Sequence, residues 1–192
     1  MAGCSRCPLS ASKSSKLTGT ALLAALVIVF DYALKFSGLK IPFPWMPTLK
    51  FDFTGIPIAL SLFMYGPVSA LTTSLVAFVG ILARSGDVIG ASMKFTAEFS
   101  TVLGLGLGVK AAERLTPRVQ KGAGLALGVA FRVVAMSIAN ILVLPLYGYP
   151  DPVVYGMLPL IAAFNVVSGA ITILLGATLH EAIKRRFPAP RA

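Results

Sequence analysis

Long apolar runs, separated by short polar or proline-rich segments, dominate the pattern of hydrophobic and polar positions along this chain. A membrane-spanning helix needs about 20 mostly apolar residues, and the runs predict six such helices. The second is short, which a tilt, an earlier start in the preceding loop or burial behind other helices would accommodate. The predicted spans are residues 17–36, 53–65, 68–83, 91–112, 122–146 and about 157–182.

Composition places the chain among multi-pass membrane proteins. Of the 192 residues, 56% are hydrophobic and only 12% are charged. Six spans use roughly 120 residues, which leaves no room for a soluble catalytic domain. We therefore predict an all-α membrane protein, not an enzyme, with about six transmembrane helices in one bundle. The bundle covers residues 17–186, between tails at 1–16 and 187–192.

The 17 lysines and arginines predict the orientation. Eleven fall at one set of helix ends and four at the other, while Lys94 and Arg132 fall inside apolar runs. Because basic residues concentrate on the cytoplasmic side of membrane proteins, this bias predicts that both termini lie in the cytoplasm. Orientation thus explains most of the net charge of +10. A nucleic-acid partner is not predicted, since aromatic residues do not alternate with the positive charges.

Few residues suit metal or nucleotide chemistry. Cys4 and Cys7 form one Cys-Ser-Arg-Cys motif in a tail predicted to face the reducing cytoplasm. A single CxxC supplies half of a structural zinc site, and His180 is the sole histidine. No P-loop is present. We predict no metal site, no cofactor and no ATP hydrolysis by this chain alone.

Glycines spaced four residues apart occur in two predicted helices, at Gly104 and Gly108 and at Gly124 and Gly128. The Gly-Leu-Gly-Leu-Gly run that begins at Gly104 lies deep in an apolar helix. A phosphate cradle would instead lie between a strand and a helix, so phosphate binding is not predicted. Small residues at this spacing let helix backbones approach closely. We predict close helix packing at these positions.

Polar side chains inside the apolar runs mark the candidate site. A charge within a bilayer costs about 3 kcal/mol on insertion scales, so it faces a partner, a wet cavity or a ligand. Lys94 and Glu98 lie in the outer half of the fourth predicted helix, and Asn140, Asn165 and Ser168 share that depth range on two other helices. This arrangement predicts an outward-facing pocket that offers a few hydrogen bonds within apolar walls.

Structural alternatives apply to each of these residues. Lys94 and Glu98, four residues apart, would pair with each other on one helix face. Each asparagine would form an interhelical hydrogen bond. We predict that Arg132 lies near the midplane, away from this cluster, with a structural role in which it pairs with backbone carbonyls or a carboxylate.

The segment between the first two spans, residues 37–52, predicts a lid over the pocket. Its Ile-Pro-Phe-Pro-Trp-Met-Pro stretch contains three prolines that prevent a helix. Trp45 and Met46 are bulky apolar side chains that avoid open water. The alternative is that Trp45 is an ordinary anchor at the membrane interface.

Several stretches in the same order form a further pattern. They are Ala21-Leu-Leu-Ala-Ala25, Leu49-Lys-Phe-Asp-Phe-Thr-Gly-Ile-Pro57, Tyr65-Gly-Pro67, Arg132-Val-Val-Ala-Met136 with Asn140, Leu144-Pro-Leu-Tyr147 and Phe164-Asn165. Together they resemble the substrate-binding S-component of energy-coupling factor (ECF) transporters, in particular the riboflavin-binding branch. The resemblance covers most of the chain, from about Thr20 to Arg186.

The resemblance implies a six-helix vitamin-binding subunit of the cell membrane. Such a subunit has no ATPase of its own and docks on a transmembrane coupling protein driven by two ATP-binding-cassette subunits. It implies that Ala21 and Ala25 form the docking face, where small side chains permit close contact. The residues predicted to bind substrate are Trp45, Met46, Leu49, Lys50, Asp52, Lys94, Glu98, Asn140, Tyr147, Asn165 and Ser168.

Two departures from the riboflavin branch bear on the ligand. Ser168 stands near a place where that branch often has lysine, and the third helix lacks a Lys-Asn pair common there. Riboflavin is the favoured ligand, with pantothenate, a pyrimidine thiamine precursor or another small vitamin as alternatives. The alternative from a different class is a membrane scaffold subunit whose buried polar groups only hold helices together.

Overall fold

The computed structural model describes residues 13–38 and 41–186, without the side chains of Pro47 and Thr48. Six α-helices and one two-stranded sheet form most of this part of the chain. In order, they are α1 (Lys13–Phe36), β1 (Ile41–Phe43), β2 (Met46–Phe51), α2 (Gly55–Tyr65), α3 (Pro67–Ser85), α4 (Val88–Ala111), α5 (Pro117–Val143) and α6 (Asp151–Arg186), with a 3-10 helix (Leu144–Tyr147) between α5 and α6.

Each predicted span corresponds to a helix, so the all-α fold class is confirmed. The boundaries differ by a few residues, most clearly in α6, which begins at Asp151 and ends at Arg186. Four described segments are long and apolar enough to cross a membrane: α1, α3, α5 with the 3-10 helix, and α6. The number of crossings and the cytoplasmic placement of the termini stay predictions. Cys4, Cys7 and residues 187–192 lie outside the described residues, whereas residues 13–16 form the first turn of α1.

Local sequence explains where α2 and α3 end and where α3 and α4 begin. Gly66 (φ 95°) and Gly86 (φ 66°) adopt backbone conformations that favour glycine, and they end α2 and α3. Pro67 opens α3 at a position where a missing N–H costs nothing. Asp87 caps α4, since its side chain accepts a hydrogen bond from the backbone N–H of Gly90 at 2.9 Å.

The helices form a ring in which α1, α3, α4, α5 and α6 follow one another in contact. The short helix α2 closes the ring between α6 and α1 and also contacts α3 and α4. Because α2 has neighbouring helices on several sides, successive residues along it are buried. The buried residues of α2 are Gly55, Pro57, Ile58, Ala59, Leu60 and Ser61.

The glycine pairs bring α4 and α5 together, as their spacing predicts. A Cβ on Gly104 would lie 3.0 Å from the Cα of Gly128, and one on Gly108 would lie 2.8 Å from the Cα of Gly124. Such distances leave no space for a side chain, so the two backbones are in direct contact. α4 and α5 are therefore held at a fixed separation.

The second predicted span is short because it begins deep in the bundle. With 11 residues, α2 is roughly 16 Å long, about half the thickness of a bilayer core. Its first residue, Gly55, lies against Glu98 of α4 and Thr172 of α6. The chain from the hairpin to Thr54 therefore occupies the outer half of this position, where non-helical backbone is tolerated because protein surrounds it.

A β-hairpin forms most of the predicted lid, and the sequence analysis did not predict it. Strands β1 and β2 pair antiparallel, with Ile41 opposite Phe51 and Pro42 opposite Lys50. A proline is tolerated here because each strand of a two-stranded sheet has a free edge. Trp45 lies in the turn and is 70% exposed, whereas Phe43 is buried.

Candidate functional site

Arg132 of α5 lies at the centre of a buried group of polar side chains. Its Nε donates to Asn165 Oδ1 and its Nη2 to Ser168 Oγ, each at 3.2 Å, and both partners belong to α6. Its Nη1 donates to Glu98 Oε1 and Thr101 Oγ1 of α4, each at 3.1 Å. One guanidinium thus joins three helices. We call these five residues the Arg132 cluster.

Side-chain bonds within single helices orient two of its members. Asn165 Nδ2 donates to the backbone oxygen of Ile161 at 2.8 Å, so its Oδ1 faces Arg132. Thr101 Oγ1 donates to the backbone oxygen of Ala97 at 2.7 Å and keeps a lone pair for the guanidinium. Oriented and satisfied groups of this kind form a rigid polar network.

Glu98 has one oxygen that the cluster does not use. Glu98 Oε2 is buried and has no hydrogen-bond partner within the part of the chain that the structure describes. The carboxylate lies against Gly55, where any Cβ would overlap it. Gly55 also begins α2, and the amino end of a helix favours a negative charge. An unpartnered buried acceptor is costly, which makes this oxygen the candidate acceptor for a ligand.

A second ionic group lies toward the helix ends that adjoin the hairpin. Asp31 of α1 accepts from Arg84 Nε of α3 at 2.7 Å and lies 3.5 Å from Lys94 Nζ of α4. Lys94 also forms an ion pair with Asp52, which follows strand β2, and Thr54 Oγ1 donates to Asp52 at 2.7 Å. We call Asp31, Arg84, Lys94 and Asp52 the Lys94 network. It joins three helices to the exit of the hairpin.

Aromatic side chains fasten the hairpin to α6. The ring centroid of Phe164 lies 5.5 Å from that of Phe43 and 4.9 Å from that of Phe51. Trp45 packs against the hairpin itself, with its ring edge-on to Phe43 at 5.2 Å. Phe164 directly precedes Asn165 of the Arg132 cluster, so the hairpin covers the polar cluster through an apolar layer.

The cavity between the two ionic groups is small. It has a volume of about 10 Å³ and is lined by Thr54, Ser74, Lys94 and Glu98, together with apolar side chains. That volume is close to the minimum for one water molecule. Pockets for vitamin-sized ligands are far larger, about 300 Å³ or more. A ligand of that size therefore requires the hairpin to move.

The structure corrects two expectations about the charged residues. Arg132 does not lie away from the polar cluster but at its centre, because its long side chain reaches both α4 and α6. Lys94 and Glu98 do not pair with each other. Lys94 pairs with Asp52 and Asp31, while Glu98 pairs with Arg132.

The other predicted binding residues fall into three groups. Asn165 and Ser168 meet in the Arg132 cluster, whereas Asn140 bonds within its own helix, donating to the backbone oxygen of Met136 at 2.7 Å. The remainder lie on the hairpin or in the 3-10 helix that follows α5. Of these, Met46 and Leu49 are half-buried, and Trp45, Lys50 and Tyr147 are exposed.

Sequence reasoning missed several residues that shape the site. Asp31 could have been found, because a lone carboxylate in an apolar span needs a cation. Arg84 is one of the four basic residues counted at the less basic set of helix ends. Phe51 and Phe164 stand in stretches that carry the family resemblance, but nothing in the sequence marked them and Phe43 as one aromatic group, since aromatic residues are frequent throughout the apolar runs. Their grouping depends on how the hairpin folds.

The surface of α1 bears on the predicted docking face. Ala21 and Ala25 are both exposed, and neither contributes to the buried face of α1. The buried residues of that helix are Thr20, Ala24, Val27 and Asp31. The two alanines therefore point away from the bundle, as a contact surface for lipid or protein requires.

A ring of apolar helices around a buried polar site, covered by a β-hairpin, defines a membrane protein of the solute-binding class. The family model described as "ECF transporter, substrate-specific component" matches residues 15–186. The chain belongs to this family. It is a multi-pass protein of the cytoplasmic membrane.

Two curated relatives and one solved structure are similar over almost the whole chain. The riboflavin transporter RibU of Staphylococcus aureus (strain TCH60) is 28% identical, over 92% of this chain and 96% of its own. The riboflavin transporter FmnP of Bacillus subtilis (strain 168) is 26% identical, over 90% and 93%. The S component of a bacterial ECF transporter shares the fold, with a TM-score of 0.75, 24% identity and coverage of 92% of this chain and 99% of that one.

Proposed function

We propose that this chain binds riboflavin from outside the cell as the substrate-binding subunit of an ECF importer. The observation that carries the proposal is an aromatic hairpin seated over a buried polar cluster, in which Glu98 Oε2 has no partner among the described residues, in a chain of this family. Two full-length relatives are named riboflavin transporters, which favours this vitamin.

The chemistry of the flavin matches the two layers of the site. Its tricyclic ring is flat and largely apolar, so Phe43, Phe51 and Phe164 supply suitable faces for stacking. Its imide N–H would donate a hydrogen bond to Glu98 Oε2. Its carbonyl oxygens would accept hydrogen bonds from the amide N–H of Asn165 or the hydroxyl of Ser168. Burial in an apolar site makes each such hydrogen bond selective, because a ligand without the group leaves a buried partner unpaired.

The remaining predicted binding residues surround this centre. Trp45, Met46 and Leu49 form the cover on the hairpin, and Asp52 and Lys94 form its base. We assign Asn140, Lys50 and Tyr147 to the ribityl chain, because their polar groups suit its hydroxyls. These roles are proposals that substitution tests one residue at a time.

Calorimetric titration of the purified chain with riboflavin tests the binding proposal. We expect tight binding without ATP, and a protein purified from riboflavin-rich medium that is yellow. Pantothenate and a pyrimidine thiamine precursor serve as the comparison ligands. Binding of either one in place of riboflavin reassigns the vitamin, and binding of none tighter than millimolar favours the scaffold alternative.

We further propose that Ala21 and Ala25 meet a transmembrane coupling protein served by two ATP-binding-cassette subunits. Their exposure on α1 supports this, because an added side chain would not disturb the bundle itself. Ala21→Leu and Ala25→Leu should leave riboflavin affinity unchanged while reducing co-purification with the coupling protein and vitamin uptake. Ala33→Leu, also exposed and on the same helix, is the matched control. Equal loss of affinity and complex recovery would contradict the docking assignment.

A further inference from the structure

Asp31 is a buried charge that the binding site just described does not use. Its side chain is only 2% exposed, and it lies within an apolar helix, where an uncompensated carboxylate is costly. It bonds Arg84 through one oxygen and faces Lys94 through the other. Pairing with Arg84 would not by itself require Asp31 to lie beside Lys94, so this second contact calls for a separate explanation.

Lys94 is placed between two carboxylates that belong to different parts of the molecule. Asp31 is fixed on α1, whereas Asp52 follows strand β2 and moves with the hairpin. A two-stranded hairpin is only marginally stable by itself, so it depends on its attachments to the bundle. Two of these attachments are the aromatic contacts with Phe164 and the ion pair of Asp52 with Lys94.

Opening of the hairpin would withdraw Asp52 and leave the Lys94 ammonium half-buried. With the hairpin closed, the side chain of Lys94 is 18% exposed, so its charge depends on nearby anions as well as on water. Asp31 Oδ1 lies 3.5 Å away on α1, so it stays beside Lys94 when Asp52 is withdrawn. With Asp31 present, the open arrangement keeps a carboxylate between Arg84 and Lys94, whereas without it both cations lose that carboxylate.

We propose that Asp31 is the alternative counter-ion of Lys94, which lowers the barrier to hairpin opening. The inference rests on the proposed function, since it concerns entry of the vitamin beneath the hairpin. Asp31 acts through Lys94 and is a positioning residue. Asp52 and Lys94 pair in the closed structure, and the proposal takes this pair to form again when the hairpin closes on the ligand, so Asp31 affects chiefly the open arrangement between these states.

The proposal has a kinetic signature that a purely structural role would not produce. Loss of Asp31 should slow association and dissociation by the same factor and leave the dissociation constant nearly unchanged. A residue that merely stabilised the closed site would instead raise the dissociation rate. Trp45 is the only tryptophan and lies on the hairpin, so quenching of its fluorescence by riboflavin reports both rates in stopped-flow mixing.

The variants are Asp31→Asn and the charge-balanced Asp31→Asn/Arg84→Met, with Asp31→Glu and Arg84→Met as controls. We expect both rate constants to fall about fivefold in the first two variants, with affinities within twofold of the parent chain. Asp31→Glu should be close to the parent, and Arg84→Met, which removes a cation that competes with Lys94 for Asp31, should be no slower. Unchanged rates, or a weaker affinity from faster dissociation alone, would overturn the proposal.

A readout without ligand separates this proposal from the proposed function. In a chain with Cys4→Ser and Cys7→Ser, a cysteine placed by Phe43→Cys is buried beneath the hairpin and reacts with a membrane-impermeant maleimide only when the hairpin opens. Adding Asp31→Asn should slow this labelling about fivefold. If riboflavin does not bind but labelling slows, the inference stands and the vitamin is wrong. If riboflavin binds and labelling is unaffected, the inference fails.

Discussion

The Arg132 cluster and the Lys94 network both bury opposite charges among helices, yet they are built for different behaviour. Every member of the Arg132 cluster belongs to a helix, and glycines lock two of those helices together. The Lys94 network includes Asp52, which follows the hairpin. The first arrangement therefore links only helices, two of which are held at a fixed separation, whereas the second would separate if the hairpin opened. The two ionic groups differ in the elements that carry the charges, and not in the kinds of residue used.

The largest expected effect follows from removing the guanidinium at the centre of the Arg132 cluster. Arg132→Met would leave the Glu98 carboxylate buried without its cation, which typically costs about 3–5 kcal/mol. We expect a large fall in the thermal unfolding midpoint in detergent and loss of riboflavin binding. Adding Glu98→Gln should recover part of the stability but not the binding. An Arg132→Met protein as stable as its parent would contradict the central role of this pair.

A smaller effect on stability should follow from forcing the locked helices apart. The Cβ of Gly104→Ala would overlap the backbone of α5, so α4 and α5 must separate, at a cost of about 1–3 kcal/mol. Gly106→Ala is the matched control on the same helix, because its Cβ would lie 3.8 Å from Leu62 Cδ1, an ordinary contact. Thermal unfolding of both variants measures the difference. Equal midpoints would mean that the glycine contact does not fix the helices.

Gly55→Ala tests whether riboflavin binding requires the Glu98 carboxylate to keep its position. The added methyl group would overlap that carboxylate and lie 2.8 Å from Thr172 Cγ2, which should displace the unpartnered oxygen. We expect riboflavin affinity to fall about tenfold, equivalent to about 1.4 kcal/mol, with the chain still folded. Gly122→Ala, a helical glycine with open space around it, should bind like the parent. Calorimetric titration makes the comparison, and equal affinities would remove Glu98 from the binding site.

The smallest effect on binding is expected from a substitution in the turn of the hairpin. Trp45→Ala removes an apolar cover that is already 70% exposed, so only a minor part of its surface is lost from contact. We expect about threefold faster dissociation of riboflavin, with an unchanged unfolding midpoint. Since this change removes the fluorescent probe, the emission of the flavin itself would report the rate. An unchanged rate would favour Trp45 as an anchor at the membrane interface.

Most of the architecture follows from the sequence because a bilayer imposes strict requirements on it. Apolar runs of the length needed to cross a membrane predict the helices, and the structure places a helix at every one. The spacing of Gly104 and Gly108 predicts close packing, since a missing side chain is itself the cause of the approach. Polar residues inside the runs identify Glu98, Asn165 and Ser168 as site candidates because a buried polar group needs a partner.

Only the tertiary structure decided how those charges are shared. The spacing of Lys94 and Glu98 allows a pair on one helix, but such a pair contributes only about 0.2–0.5 kcal/mol. Arg132 instead offers Glu98 a cation that also satisfies Asn165 and Ser168, while Asp52 and Asp31 are better placed for Lys94. These partners are separated by more than 30 residues along the chain, so no local pattern records them. The hairpin likewise depends on contact with Phe164, because two short strands gain too little from their own pairing to specify it.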